Sequence, residues 1–161
     1  MVSRWYWGKV EQPNTLNSNE YLGFIQDKEG FRDTAYKPID SEEHWTIGYG
    51  NYGADVKEGD TITREEADIQ LQNNIDERLG QIRQAIPEFD NLPLEARQHL
   101  LGSWFRGSLS GSPKTIGLIN EGKWQEASDE FLDNDEFRNT TLGGVKKRMN
   151  ATANAMRGLI T

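Results

Sequence analysis

The sequence contains no cysteine, only two histidines and five prolines, and no acidic residue after Glu136. Without cysteine no disulfide can brace the fold, so its stability does not depend on the redox state of its surroundings. Two histidines and no thiol leave little from which to build a dedicated zinc site. No run approaches the roughly 20 apolar residues that a membrane span needs. The first nine residues, Met1-Val2-Ser3-Arg4-Trp5-Tyr6-Trp7-Gly8-Lys9, lack the apolar stretch of about 7–15 residues that marks a secretory signal. The expectation is a chain made in a cytoplasm, with no stable membrane insertion.

What is present suits a globular protein. Of 161 residues, 35% are hydrophobic and 27% charged, and five Trp, five Tyr and six Phe can fill a core. That length fits one domain or two small lobes sharing a helix. The net charge of −8 is uneven. Residues 1–60 carry 6 basic and 11 acidic side chains, residues 61–137 carry 7 and 15, and residues 138–161 carry 5 and none. An acidic surface with a basic C-terminal helix is the plain reading; a contact for an anionic polymer, or for the protein's own acidic body, is the sharper one. The overall acidity argues against a nucleic-acid partner.

Pattern and punctuation predict the elements. Residues 1–17 read as an irregular arm, broken at Pro13-Asn14. Ser18 or Asn19 can cap a helix from about Glu20 to Lys28 that ends at Gly30. Glu29 then sits at the helix's C-terminal end, where the macrodipole disfavours a carboxylate. The glycine- and aromatic-rich stretch to Gly59 contains Trp45-Thr46-Ile47-Gly48-Tyr49-Gly50 and reads as a two- or three-stranded antiparallel sheet. Thr63-Arg64-Glu65-Glu66 is a capping box opening a long helix. Ala67, Ile69, Leu71, Ile75, Leu79 and Ile82 carry that helix to about Ala85. Helices follow over Pro93–Phe105, Pro113–Asn120, Trp124–Leu132 and Val145–Leu159, with Gly107, Gly111, Gly122 and Gly143-Gly144 between them. The class is α+β. The expected organisation is an arm (1–17), a small lobe with a β-hairpin (18–62), an interlobe helix (63–86) and a helical lobe (87–161), with a cleft between the lobes as the natural ligand site.

The chemistry concentrates in Lys28-Glu29-Gly30-Phe31, Tyr36-Lys37-Pro38-Ile39-Asp40 and Trp45-Thr46-Ile47-Gly48-Tyr49-Gly50-Asn51. A carboxylate at a helix end is followed 11 residues later by a second, and then by a threonine on a strand. Two carboxylates in unlike environments, one protonated and one ionised, are what glycoside hydrolysis requires. Spacing alone does not separate them from ordinary surface acids in a chain with 26 Asp and Glu.

The order of these segments resembles the phage lysozyme family, the T-even phage lysozyme type of glycoside hydrolase family 24. The resemblance starts with Glu29-Gly30, Tyr36 and Thr46-Ile47-Gly48-Tyr49-Gly50. It continues through Gly59-Asp60-Thr61-Ile62-Thr63 with Glu66-Ala67, and Leu101-Gly102-Ser103-Trp104-Phe105. Pro113-Lys114-Thr115-Ile116 with Leu118-Ile119-Asn120-Glu121-Gly122-Lys123-Trp124, and Gly144-Val145-Lys146-Lys147-Arg148, complete it over residues 20–158. It implies a lysozyme-like fold and a muramidase that cuts the β-1,4 bond between N-acetylmuramic acid and N-acetylglucosamine of peptidoglycan. Glu29 matches the general acid, Asp40, six residues before Thr46, the second carboxylate, and Thr46 the threonine that helps hold the attacking water. Phe105 and Thr115 match positions beside the cleft, on the substrate. No cofactor or metal is implied, and a monomer is expected. Such an enzyme would reach the wall from the host cytoplasm through a holin-type lesion, or be carried on the virion among other virion proteins.

Three departures stand out. The segment from Glu29 to Asp40 is two residues longer than in familiar members, with Pro38-Ile39 as the insertion, so Asp33, Glu42 and Glu43 remain rivals to Asp40. Asn51 stands where the family often has histidine, which removes an ion pair and bears on stability. The chain is acidic where many members are basic, so moderate salt is expected to help it approach an anionic wall by screening repulsion. His44 and His99 read as ordinary core or surface residues, Trp45 and Trp104 as core or sugar-stacking, and Trp5 and Trp7 as staples for the arm or docking points for a partner. A lytic transglycosylase using Glu29 alone, and a wall-binding or virion module without catalysis, are the alternatives.

Overall fold

The structure, a computed structural model, describes residues 15–161, with side chains from Glu20 onward. The expected arm, with Trp5 and Trp7, lies outside the described residues up to Asn14. The elements are α1 (Thr15–Glu29), β1 (Arg32–Tyr36), β2 (Trp45–Gly48), β3 (Asn51–Gly53), α2 (Arg64–Ala85), α3 (Leu94–Phe105), α4 (Pro113–Asn120), α5 (Trp124–Leu132), α6 (Asp135–Asn139) and α7 (Gly143–Arg157). The chain folds as two compact units, Met1–Glu77 and Arg78–Thr161, and the division falls inside α2. Among the described residues no helix is long and apolar enough to cross a membrane.

In the first unit α1 ends because Gly30 turns to a φ of +67° and its N–H returns to the Gln26 carbonyl at 3.1 Å. Only glycine adopts that left-handed conformation without steric cost. α1 begins earlier than its pattern suggested, so Ser18 and Asn19 are helical rather than capping. Tyr21 and Ile25, one turn apart, are completely buried. The sheet that follows is antiparallel in the order β1-β2-β3. Trp45 pairs with Gly53, Thr46 with Tyr52 and Ile47 with Asn51, so β2 and β3 form a hairpin. β1 pairs with β2 at Arg32–Gly48 and Tyr36–Thr46, and the unequal spans between those pairs mark an irregular register in β1. Residues 60–62 brace the other side of β1: Ala35 N–H donates to the Asp60 carbonyl at 2.9 Å and Ile62 N–H to the Asp33 carbonyl at 2.8 Å.

The helix α2 starts where its capping box predicts. The Thr63 Oγ1 accepts from the Glu66 N–H at 3.1 Å and donates to the Glu66 carboxylate at 3.0 Å. Ala67, Leu71, Ile75, Leu79, Ile82 and Ile86 form its buried stripe at intervals of three and four. Ile69 lies off that stripe, half-buried, while Gln70 is buried. Asn120 Nδ2 donates to the Ala85 carbonyl at 2.8 Å, satisfying one of the open carbonyls at the helix end.

The second unit is helical. α5 packs against α4 and α7, and α3 against α7. Met149, Thr152, Ala153 and Met156 turn one face of α7 inward. A buried Ser103–Thr152 hydroxyl pair at 2.8 Å joins α3 to α7. Gly143-Gly144, expected as a break, forms the first turn of α7, and the short α6 was not foreseen. Part of the C-terminal positive charge is met locally. Arg157 reaches Asp129 of α5 at 3.5 Å, and Arg138 pairs with Asp133 and Asp135.

Thr63→Ala removes the hydroxyl that serves the first turn of α2, and a loss of about 1 kcal/mol is expected. Chemical denaturation measures it; an unchanged midpoint and slope mean the cap contributes nothing to folding.

Candidate active site

Glu29 is the last residue of α1, half-buried, and its carboxylate faces the turn between β2 and β3. A Cβ placed on Gly50 would lie 3.5 Å from Glu29 Oε2. Gly50 has a φ of +80° and Gly48 one of +67°, so both ends of this turn use backbone that other residues adopt at a cost. Gly48 lies against α2, where a Cβ would rest in ordinary contact with Ala67 Cβ and Gln70 Oε1, each at 3.5 Å, so its left-handed φ rather than space is what asks for glycine. The motif glycines thus serve two purposes, a left-handed turn and an open face beside a carboxylate.

The strand leading into that turn carries Thr46, 6% exposed and paired on either side with Tyr36 and Tyr52. Its backbone is held by both neighbouring strands, which makes the hydroxyl a fixed polar group rather than a mobile one. Asp40 lies in the β1–β2 connection, fully on the surface, where the Glu42 N–H closes a turn onto the Ile39 carbonyl at 3.0 Å. Of its rivals, Asp33 is exposed on β1 and accepts the Thr34 hydroxyl at 3.1 Å, Glu43 is exposed, and Glu42 is half-buried. Thr46 thus lies on the hairpin whose turn the Glu29 carboxylate faces, whereas Asp40 sits on the exposed connection before it.

Phe105 and Thr115 belong to the second unit. Phe105 ends α3 half-buried, with the Arg78 guanidinium 5.2 Å from its ring centroid. Thr115 is 0% exposed in α4, and its Oγ1 has no hydrogen-bond partner. Trp45 is half-buried with the Lys37 ammonium 5.3 Å from its ring, and Trp104 donates its indole N–H to Gln81 at 2.9 Å. His44 lies against Tyr52, ring centroids 5.3 Å apart, and its backbone N–H donates to the Tyr52 hydroxyl at 3.3 Å. Asn51 is half-buried in β3 opposite Ile47.

Sequence reasoning missed a polar cluster beside Glu29. The Tyr49 hydroxyl donates to Asp68 Oδ1 at 2.9 Å and accepts longer contacts, at 3.3 Å, from Gln26 Nε2 and Arg64. Gln26 also donates to Asp68 Oδ1 at 3.0 Å. The Phe31 ring lies 5.3 Å from the Tyr49 ring and has the Arg64 guanidinium 4.4 Å over its face. Burial, and then the hydrogen bond to Asp68, push the Tyr49 phenol above its ordinary pKa. It is therefore a permanent donor at neutral pH. Arg64 and Asp68 share the i,i+4 spacing of α2, but no spacing or motif joins them to positions 26 and 49; only the packing of α1, the hairpin turn and α2 does so.

The profile of the family described as phage lysozyme matches residues 26–152. The chain belongs to that family, and so to a class of α+β lysozyme-like proteins. Among curated relatives, an endolysin of Bacillus phage B103 is 30% identical over 133 residues, covering 79% of this chain and 48% of the relative. An endolysin of Bacillus phage PZA is 31% identical over 116 residues, covering 68% and 43%. The chain thus spans about half the length of these relatives. Among solved structures, an endolysin from Escherichia coli O157:H7 phage FAHEc1 superimposes with a TM-score of 0.65 at 24% identity, covering 88% of this chain and 92% of that one. The muramidase domain of SpmX from Asticaccaulis excentricus gives 0.64 at 20% identity, covering 84% and 92%. At those identities the likeness is one of fold.

Gly50→Ala forces a Cβ into left-handed backbone, at a cost of about 1–2 kcal/mol, and sets a methyl against Glu29. Cell-wall clearing by the folded variant is expected to fall by about tenfold or more, since small misplacements at a reacting group are costly. Thermal denaturation and clearing rate, measured together, test this; a destabilised variant with unchanged clearing would show that the open face of Gly50 has no bearing on Glu29.

Proposed function

We propose that this chain is a muramidase, hydrolysing the β-1,4 bond between N-acetylmuramic acid and N-acetylglucosamine in bacterial peptidoglycan. Family membership supports the class. The observation that carries the reading to particular residues is the seating of the Glu29 carboxylate against Gly50, on the hairpin that also holds Thr46.

The chemistry follows from the residues. Glu29 gives its proton to the glycosidic oxygen as the bond to the anomeric carbon breaks, so the departing sugar leaves as a neutral alcohol. Positive charge develops on the ring carbon and oxygen. Water, oriented by Asp40 and Thr46 on the opposite face, adds to that carbon and passes a proton to Asp40, which inverts the anomeric configuration. The exposed setting of Asp40 suits an ionised base open to water, and the buried strand position of Thr46 suits a fixed hydrogen-bonding partner for that water. Phe105, at the end of α3, is a substrate contact from the second unit. No cofactor enters. The site of action is the cell wall, reached after holin-type release from the host cytoplasm or from the virion.

Two experiments test the reading. Glu29→Gln is expected to abolish clearing of chloroform-treated Gram-negative cells; wild type that clears no better than this variant sinks the enzyme assignment. Asp40→Asn is expected to lose at least about a hundredfold in rate, as removal of a general base does, while Asp33→Asn, Glu42→Gln and Glu43→Gln stay near wild type. Mass spectrometry of the fragments reads the reaction itself. Reducing muramic ends are expected, and anhydro ends would replace hydrolysis by transglycosylation.

A further inference from the structure

We infer that Tyr49 and Asp68 are positioning residues for Glu29, acting as a latch that ties the C-terminal end of α1 to the hairpin turn and to α2. The inference rests on the reading of Glu29 as the general acid.

The connections run on both sides of Glu29 along the chain. Three residues before it, Gln26 donates to Asp68 Oδ1 at 3.0 Å, and its amide also lies 3.3 Å from the Tyr49 hydroxyl. Two residues after it, Phe31 packs against the Tyr49 ring at 5.3 Å. Tyr49 itself precedes Gly50, the residue whose open face the Glu29 carboxylate meets. The acid's helix and the surface it rests on are therefore fastened to one phenol.

The chemistry of the latch suits a fixed geometry. The Tyr49 hydroxyl has one proton to give and gives it to Asp68 at 2.9 Å, a hydrogen bond to a carboxylate and so stronger than a neutral one. Asp68 is half-buried on α2, one turn beyond Arg64. Arg64 closes the group by resting on the Phe31 face, 4.4 Å away, while its guanidinium reaches the phenol at 3.3 Å. Five side chains from α1, the link after it, the hairpin turn and α2 thus share one small hydrogen-bonded and stacked cluster. A reacting carboxylate needs its position held to a fraction of an ångström, and polar clusters of this kind supply that rigidity.

Tyr49→Phe keeps the ring against Phe31 and removes only the hydroxyl, whereas Asp68→Ala removes the shared acceptor. Asp68→Asn is the conservative control, because its side-chain oxygen still accepts from both Tyr49 and Gln26. On purified peptidoglycan, Tyr49→Phe and Asp68→Ala are each expected to lower kcat about tenfold with KM within about twofold, the signature of a misplaced reacting group. Asp68→Asn is expected to recover most of the rate. The double variant is expected to be no slower than the slower single one, as for two parts of one device. The second readout needs no turnover: the carbon-13 carboxyl resonance of Glu29, assigned through Glu29→Gln, is expected to shift or broaden in Tyr49→Phe and Asp68→Ala and to stay in place in Asp68→Asn. An unmoved resonance, or wild-type kcat in variants that are merely less heat-stable, overturns the latch. An inactive wild type whose Glu29 resonance moves as expected would instead overturn the muramidase reading and uphold the latch.

Discussion

The hydrogen bond from the Tyr49 hydroxyl to Asp68, at 2.9 Å, organises the first unit. One partner directly follows β2; the other stands on the second turn of α2. Gln26 of α1 joins them through the same carboxylate oxygen. Three elements that are far apart in sequence are therefore held at fixed distances by groups whose polar atoms find partners within the protein. Such a cluster is costly to leave half-made in a partly dry environment, which favours the one arrangement that completes it. The glycines of the turn complement this rigidity from the opposite direction. They remove side chains where α2 and the Glu29 carboxylate come closest.

Family membership and geometry bear on different questions. The first defines the class of protein and directs attention to Glu29, Asp40 and Thr46. The second shows the Glu29 carboxylate, at the end of α1, facing the hairpin that carries Thr46, while Asp40 occupies an exposed turn. The acidic charge of the whole chain adds a constraint on the proposed substrate, since an anionic wall would be approached against a repulsion that is screened over about 8–10 Å in ordinary salt.

Much of the architecture was legible before any coordinates. The capping box at Thr63 and the spacing of Ala67, Leu71, Ile75, Leu79 and Ile82 located α2 to within a residue, because a cap and a long period reinforce each other. The bounds of α4 and α5 were likewise marked by Pro113, Gly122 and Lys123-Trp124. Local signals failed where long-range packing decides. Gly143-Gly144 reads as a break yet opens α7, since the buried face of Met149, Ala153 and Met156 holds the helix whatever its first turn prefers. Thr115 is buried in α4, and no pattern of neighbours shows in advance whether a hydroxyl meets solvent. The Tyr49–Asp68 cluster was invisible for the same reason: its members belong to three separate periodic segments.

The turn after α3 has a property that reaches beyond this chain. Gly107 has a φ of +81°, and a Cβ on Gly111 would come within 2.9 Å of the Gly107 carbonyl oxygen, whose acceptor role toward the Gly111 N–H closes the loop. The two glycines are mutually dependent: one provides the bend and the other the clearance the bend demands. Segments exchanged between related enzymes would have to carry both across together, which makes 107–111 a unit of inheritance rather than a string of independently variable positions.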